Sequence, residues 1–220
     1  MSSASSKRTR LRDRAYDEFT RRLLEQEIQP GQFVTQRELV ELTNLPLSAI
    51  RELIPKLEAD GLISTLPQRG LQVAVVDLDL IRNAFQLRLF LEREAAALFA
   101  ANATDEELAR LREAHEEIIR EAEVSVTREL VDRAQSVDWD LHDTIIDALD
   151  NAIVSNVYRV NSIKVRLIRR RETRLNKGIV VPVMEDHLRI VAALEERDPL
   201  LASTEIARHI NGARDRALKV

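Results

Sequence analysis

From residue 78 to residue 218 the apolar side chains of this chain recur at helical intervals, and nowhere do they alternate with polar ones as in a half-buried strand. That period restricts the second part of the chain to packed helices. The segments 78–102, 104–123, 127–149, 151–176, 182–197 and 199–218 each carry one apolar stripe. Thr104 with Glu107 reads as a capping box, Pro182 as a helix opener, and Asp198-Pro199 as the cap and first position of the last helix. Links this short favour antiparallel neighbours in a bundle. Five glycines in 220 residues leave few interruptions, and 45 % apolar content supplies a core.

Several residues on these stripes are polar. Asp138 and His142 are one helical turn apart and lie beside Ala134, Leu141 and Ile145. His187 shares a face with Met184, Val191 and Leu194, and His209 shares one with Ala202, Ile206, Ile210 and Ala213. His187 lies 11 residues before Asp198 and His209 lies 11 after it, so two helices folded back at Asp198 bring both imidazoles to one height. A buried carboxylate and three buried imidazoles are each costly without partners, and one shared divalent ion satisfies all four. With no cysteine in the chain, carboxylate, imidazole and carbonyl are the available ligands. His115, on the stripe of Leu108, Leu111 and Ile118, has no companion at ligand spacing and reads as a core histidine. Arg88 lies with Ile81, Ala84, Phe85 and Ala95, facing the interior, either as an anchor for a carboxylate or as an ion pair with Glu92 one turn on. The basic run from Arg169 to Arg174 reads as a solvated helix end.

Residues 1–76 follow another pattern. An apolar period from Leu11 to Glu27 stops at Pro30-Gly31. Thr35 with Glu38 opens a short helix, Asn44 marks a turn, and a third helix runs from near Pro46 to Asp60-Gly61 with Pro55 expected to bend it. The runs 62–66 and 71–76 flank Pro67-Gln68-Arg69-Gly70 as a β-hairpin with a basic tip. Three helices and a hairpin make a winged helix-turn-helix, which can place a helix in the major groove and its wing near the minor groove. The net charge of −4 divides unevenly: 11 Lys and Arg stand against 10 Asp and Glu in residues 1–76, and 22 against 27 in residues 77–220. Residues 1–10 are read as a flexible basic tail, 11–76 as the winged helix-turn-helix DNA-binding domain and 77–220 as a helical domain. No apolar run is long enough for a membrane span or a signal peptide, which points to the cytoplasm.

Pro30-Gly31, Arg37-Glu38-Leu39, Arg51-Glu52, the string Leu57 to Ile63 and Arg69-Gly70 together resemble the DNA-binding domain of GntR-family bacterial regulators. The resemblance implies DNA contacts at Arg37, Ser48, Arg51, Arg69 and Gly70. The chain departs from it at Pro46-Leu47, where the family often has a Ser-Arg pair. Asp138-x-x-x-His142 with His187 and His209, beside Arg88, Glu92 and Asn151, resembles the metal-binding FadR-type C-terminal domain, FCD. That implies effector binding and dimerisation for residues 77–220, with one divalent metal per chain, zinc first with nickel or manganese as alternatives, and a small carboxylate effector. The reading is a ligand-responsive repressor acting as a homodimer on a palindromic double-stranded operator. A metal-dependent hydrolase or lyase is the alternative, since the same ligands can activate water. No further Glu or His stands where it nominates an acid or base, so an enzyme is not expected.

Overall fold

The computed structural model describes residues 2–172 and 178–219, with side chains described over 11–168 and 178–219. The side chains of the Arg169–Arg174 run lie outside the described residues. The chain divides into two compact units, Met1–Leu80 with Ile163–Arg170, and Ile81–Ser162 with Arg171–Val220.

In the first unit the helices are α1 (Ser2–Leu24), α2 (Gln36–Thr43) and α3 (Leu47–Ala59), and the strands are β1 (Phe33–Val34), β2 (Ile63–Leu66) and β3 (Gly70–Val73). Helix α1 starts at Ser2, so the backbone of residues 2–10, expected as a flexible tail, is helical instead. No Gly or Pro stands among the first 14 residues to stop the helix from running upstream of Leu11. Thr35 caps α2 through Glu38 N–H, while the Glu38 carboxylate accepts from Thr35 N–H at 2.6 Å. Asn44 ends α2 in the left-handed conformation, φ 53. Pro46 is the cap of α3, and its carbonyl accepts from Ala49 and Ile50. Pro55 lies inside α3, and the helix continues past it to Ala59.

The sheet order is β1-β3-β2, all antiparallel. Strand β1 was not expected, because two residues carry no period. It pairs Val34 with Leu71 and buries Val34 in the first core with Phe19, Leu23, Leu39, Ile50, Leu53 and Leu57. Gly70 sits at φ +92, and a Cβ there would lie 3.3 Å from the Val34 carbonyl, so its lack of a side chain lets β3 pair on both edges.

The second unit is helical among the described residues: α4 (Leu78–Asn102), α5 (Asp105–Val124), α6 (Arg128–Asp147), α7 (Ala152–Glu172), α8 (Val180–Glu195) and α9 (Pro199–Ala217). The first residues of α4 and the later ones of α7 belong to the first unit. Thr104 caps α5 through Glu107 N–H, and Thr127 caps α6 through Leu130 N–H. Asp198 caps α9 by accepting from Leu200 and Leu201 N–H. Helix α8 begins at Val180, upstream of Pro182, because proline is tolerated in a first turn whose N–H groups have no intrahelical acceptor. Helices α5, α6 and α8 enclose a cluster of Ile118, Leu130, Ala134, Val183 and Met184.

Candidate metal centre and DNA-binding surface

Asp138 and His142 project from one face of α6, His187 comes from α8 and His209 from α9. All four are buried. One ligand atom from each falls within 4.8 Å of the others. His187 Nε2 is 3.3 Å from His209 Nε2 and 3.5 Å from Asp138 Oδ1. Gln135, one turn before Asp138, donates to Asp138 Oδ2 at 3.3 Å. His142 Nε2 is buried and has no hydrogen-bond partner, although a bare imidazole nitrogen in a dry interior costs free energy. Nitrogen lone pairs and a carboxylate oxygen converging on one point, one of them unsatisfied, fit a divalent ion of the zinc type.

Two residues outside the expected ligand set hold it in place. Glu92, from α4, accepts from His142 Nδ1 at 2.7 Å and from Arg88 Nε at 2.6 Å. Arg88 is thus the ion-pair partner of Glu92. Burial pushes the Glu92 carboxyl up, but Arg88 and His142 outweigh it and hold the group below its ordinary value. Burial likewise opposes the Arg88 charge, and Glu92, with Tyr158 and Asp138, more than restores it. Tyr158 is also buried against Glu92, and burial pushes its phenol well up.

The second is His115. Its Nδ1 lies 2.6 Å from the Leu111 carbonyl and its Nε2 lies 3.0 Å from His187 Nδ1. It therefore stands directly behind a ligand rather than in a detached part of the core. Burial drives its pKa down, against the smaller opposing pull of the Leu111 carbonyl, and favours the neutral ring. Its signal in the sequence was an apolar stripe with no partner at i+3 or i+4, and its partner is 72 residues away in the chain.

In the first unit the five expected DNA contacts fall on the helix-turn-helix and wing. Arg37 is exposed near the start of α2, paired loosely with Glu41 at 3.3 Å. Ser48 and Arg51 are exposed in the first turns of α3, and Arg51 Nε lies 3.4 Å from Gln36 Oε1, which ties α3 to the start of α2. Arg69 is exposed at the wing tip with its guanidinium 5.9 Å from the Phe33 ring centroid, and Gly70 follows it.

Two family models match the chain. The model of bacterial regulatory proteins of the gntR family matches residues 11–73, and the FCD domain model matches residues 83–212. The chain is 25 % identical over 194 residues to the Nta operon transcriptional regulator of Aminobacter aminovorans, covering 87 % of each. It is 24 % identical over 186 residues to the HTH-type transcriptional repressor RspR of Escherichia coli K12, covering 83 % of this chain and 78 % of that one. Among solved structures, McbR/YncC of E. coli has the same fold at a TM-score of 0.75 and 18 % identity, covering 95 % of this chain and 97 % of that one.

Proposed function

The chain belongs to the GntR family of bacterial transcriptional regulators, in the branch with an FCD domain, and on that premise we propose that it is a repressor released from its operator by a small organic acid. It binds a palindromic double-stranded operator as a homodimer through residues 11–76, and the acid binds beside a divalent metal in residues 77–220. The observation that carries this reading is the charge balance of the buried set. Among the described residues the buried formal charges are Arg88, Glu92 and Asp138, one positive and two negative. A divalent cation held by Asp138, His142, His187 and His209 reverses that single negative excess, and a monoanionic carboxylate then neutralises it. The metal, zinc first, supplies an electrophilic anchor for that carboxylate. Arg88 is proposed as a second contact of the acid while keeping its Nε on Glu92. Hydrolysis by the same ligands has no comparable support, since the relatives that match along most of the chain are named as regulators.

Repression is the proposed mode because a relative matched over most of the chain is named a repressor. Binding linkage is reciprocal, so an acid that weakens operator binding by some factor must itself bind more weakly to the operator complex by the same factor. No described helix is long and apolar enough to cross a membrane, consistent with the cytoplasm as the proposed site of action.

The DNA assignment is tested with an operator selected from genomic fragments, by fluorescence anisotropy over a salt series. Arg51→Ala is expected to raise Kd about tenfold or more, the loss of one good base contact. Wild-type affinity should fall steeply with salt. An affinity indifferent both to this substitution and to salt would remove residues 11–76 from DNA recognition.

The dimer face is proposed on α4 and the start of α7. Phe90 and Leu98 of α4 are 61 % and 53 % exposed, and Ile153 of α7 is 77 % exposed. These side chains are proposed to pack against a second copy of the chain. Phe90→Glu is expected to raise the dimer dissociation constant at least about tenfold, given roughly 1.5–3 kcal/mol for burying a phenylalanine. Sedimentation equilibrium reads the result, and an unchanged dimer would move the interface elsewhere.

A further inference from the structure

We infer that two buried hydrogen-bond chains, Leu111–His115–His187 and Arg88–Glu92–His142, place the ring protons of two of the three ligand histidines, His187 and His142, on Nδ1, so that their Nε2 lone pairs face the ion position before any ion arrives. The inference rests on the reading of Asp138, His142, His187 and His209 as metal ligands.

With the rings neutral, the first chain follows from donors and acceptors. The Leu111 carbonyl can only accept, so the His115 nitrogen 2.6 Å from it, Nδ1, carries the proton. A neutral imidazole has one N–H, which leaves His115 Nε2 as an acceptor. His187 Nδ1, at 3.0 Å, must then be the donor. The remaining nitrogen of His187, Nε2, is the one that faces Asp138 Oδ1 and His209 Nε2. A main-chain carbonyl of α5 thereby decides, through two rings, which nitrogen α8 offers.

The second chain reaches the same result at His142. Glu92 is kept as a carboxylate by Arg88, so its Oε2 accepts and His142 Nδ1 donates. His142 Nε2 is then bare, which agrees with its having no hydrogen-bond partner although buried. His115 and Glu92 are positioning residues. They touch the ligands from behind and spare the site the reorganisation of choosing a tautomer when the ion binds.

The tautomers are read directly by nitrogen-15 NMR of the histidine rings in metal-free protein, at a pH where the rings are neutral. The expected result is a proton on Nδ1 of His142 and of His187; a proton on Nε2 of His187 with Nδ1 bare would overturn the inference. Zinc affinity, measured by competition with a chromophoric chelator, supplies the second arm. His115→Phe keeps a ring but removes the acceptor, and is expected to weaken zinc about 10–100-fold. His115→Asn, whose amide oxygen can accept from His187, is expected to restore part of that loss. Unchanged zinc affinity and tautomers in His115→Phe would also overturn it. Failure of the underlying site reading gives a different result, wild-type zinc affinity unmoved by His209→Ala, and the ring protons still decide the inference in that case.

Discussion

Replacing Glu92 with leucine is expected to destabilise the second unit by about 3–5 kcal/mol, the cost of leaving a buried charge without its partner. Glu92 is fully buried and each of its oxygens is committed, one to Arg88 and one to His142. Leucine fills most of the volume but leaves the buried guanidinium without its ion pair. The double replacement Arg88→Met with Glu92→Leu removes the orphaned charge and should recover much of the loss. It should still fall short of wild type by about 1–3 kcal/mol, because His142 Nδ1–H then lacks an acceptor. Trp139, the single tryptophan, lies in α6 and reports urea unfolding of this unit. Equal stability of the single variant and wild type would show that Arg88 is not buried in solution. The pH dependence has a definite sign. The Glu92 pKa is held below its ordinary value of 4.5, so its contribution is present above that value and is lost as pH falls through the lower, folded-state pKa. Glu92→Leu should lack this part of the acid sensitivity.

Zinc at about a thousandfold its dissociation constant is expected to stabilise the wild-type protein by about 4 kcal/mol, and to do nothing comparable for His209→Ala. The ligands come from three helices, α6, α8 and α9, so an ion bound to all of them is available only to the folded unit. The comparison that matters is the shift on adding zinc, variant against wild type, because the substitution also changes metal-free stability. A wild-type unfolding curve that does not move with zinc would refute the site. A strong chelator should reverse the shift, and competition with nickel and manganese orders the metals.

The helices were legible because helical period over more than a hundred residues is a repeated signal, and because helix starts are local chemistry: Thr35 with Glu38 in the first unit, and Thr104 with Glu107 and Asp198 before Pro199 in the second, all cap as their spacing suggests. The convergence of Asp138, His142, His187 and His209 was legible for a related reason, since each sits on the apolar side of its helix. What lay beyond sequence was contact between distant segments. His115 meets His187 and Glu92 meets His142 only after packing, and no local rule pairs residues 72 or 50 positions apart. Strand β1 escaped because two residues cannot show alternation, and its existence depends on the edge that β3 offers. The upstream start of α1 escaped because a polar basic segment without breakers reads equally as solvated tail or helix.

The turn from Glu196 to Asp198 has a consequence for how this sequence can vary. Arg197 stands at φ 56 and Asp198 is spent on the cap of α9, so the connection has no slack. A single-residue insertion or deletion inside α8 after His187, or inside α9 before His209, turns one imidazole by about 100° relative to the other and shifts it by about 1.5 Å. Chains that keep this centre should therefore exchange side chains freely along the outer faces of α8 and α9 while keeping the number of residues between the two histidines constant. Length drift should collect instead in the connection around Ser125, where no ligand depends on phase.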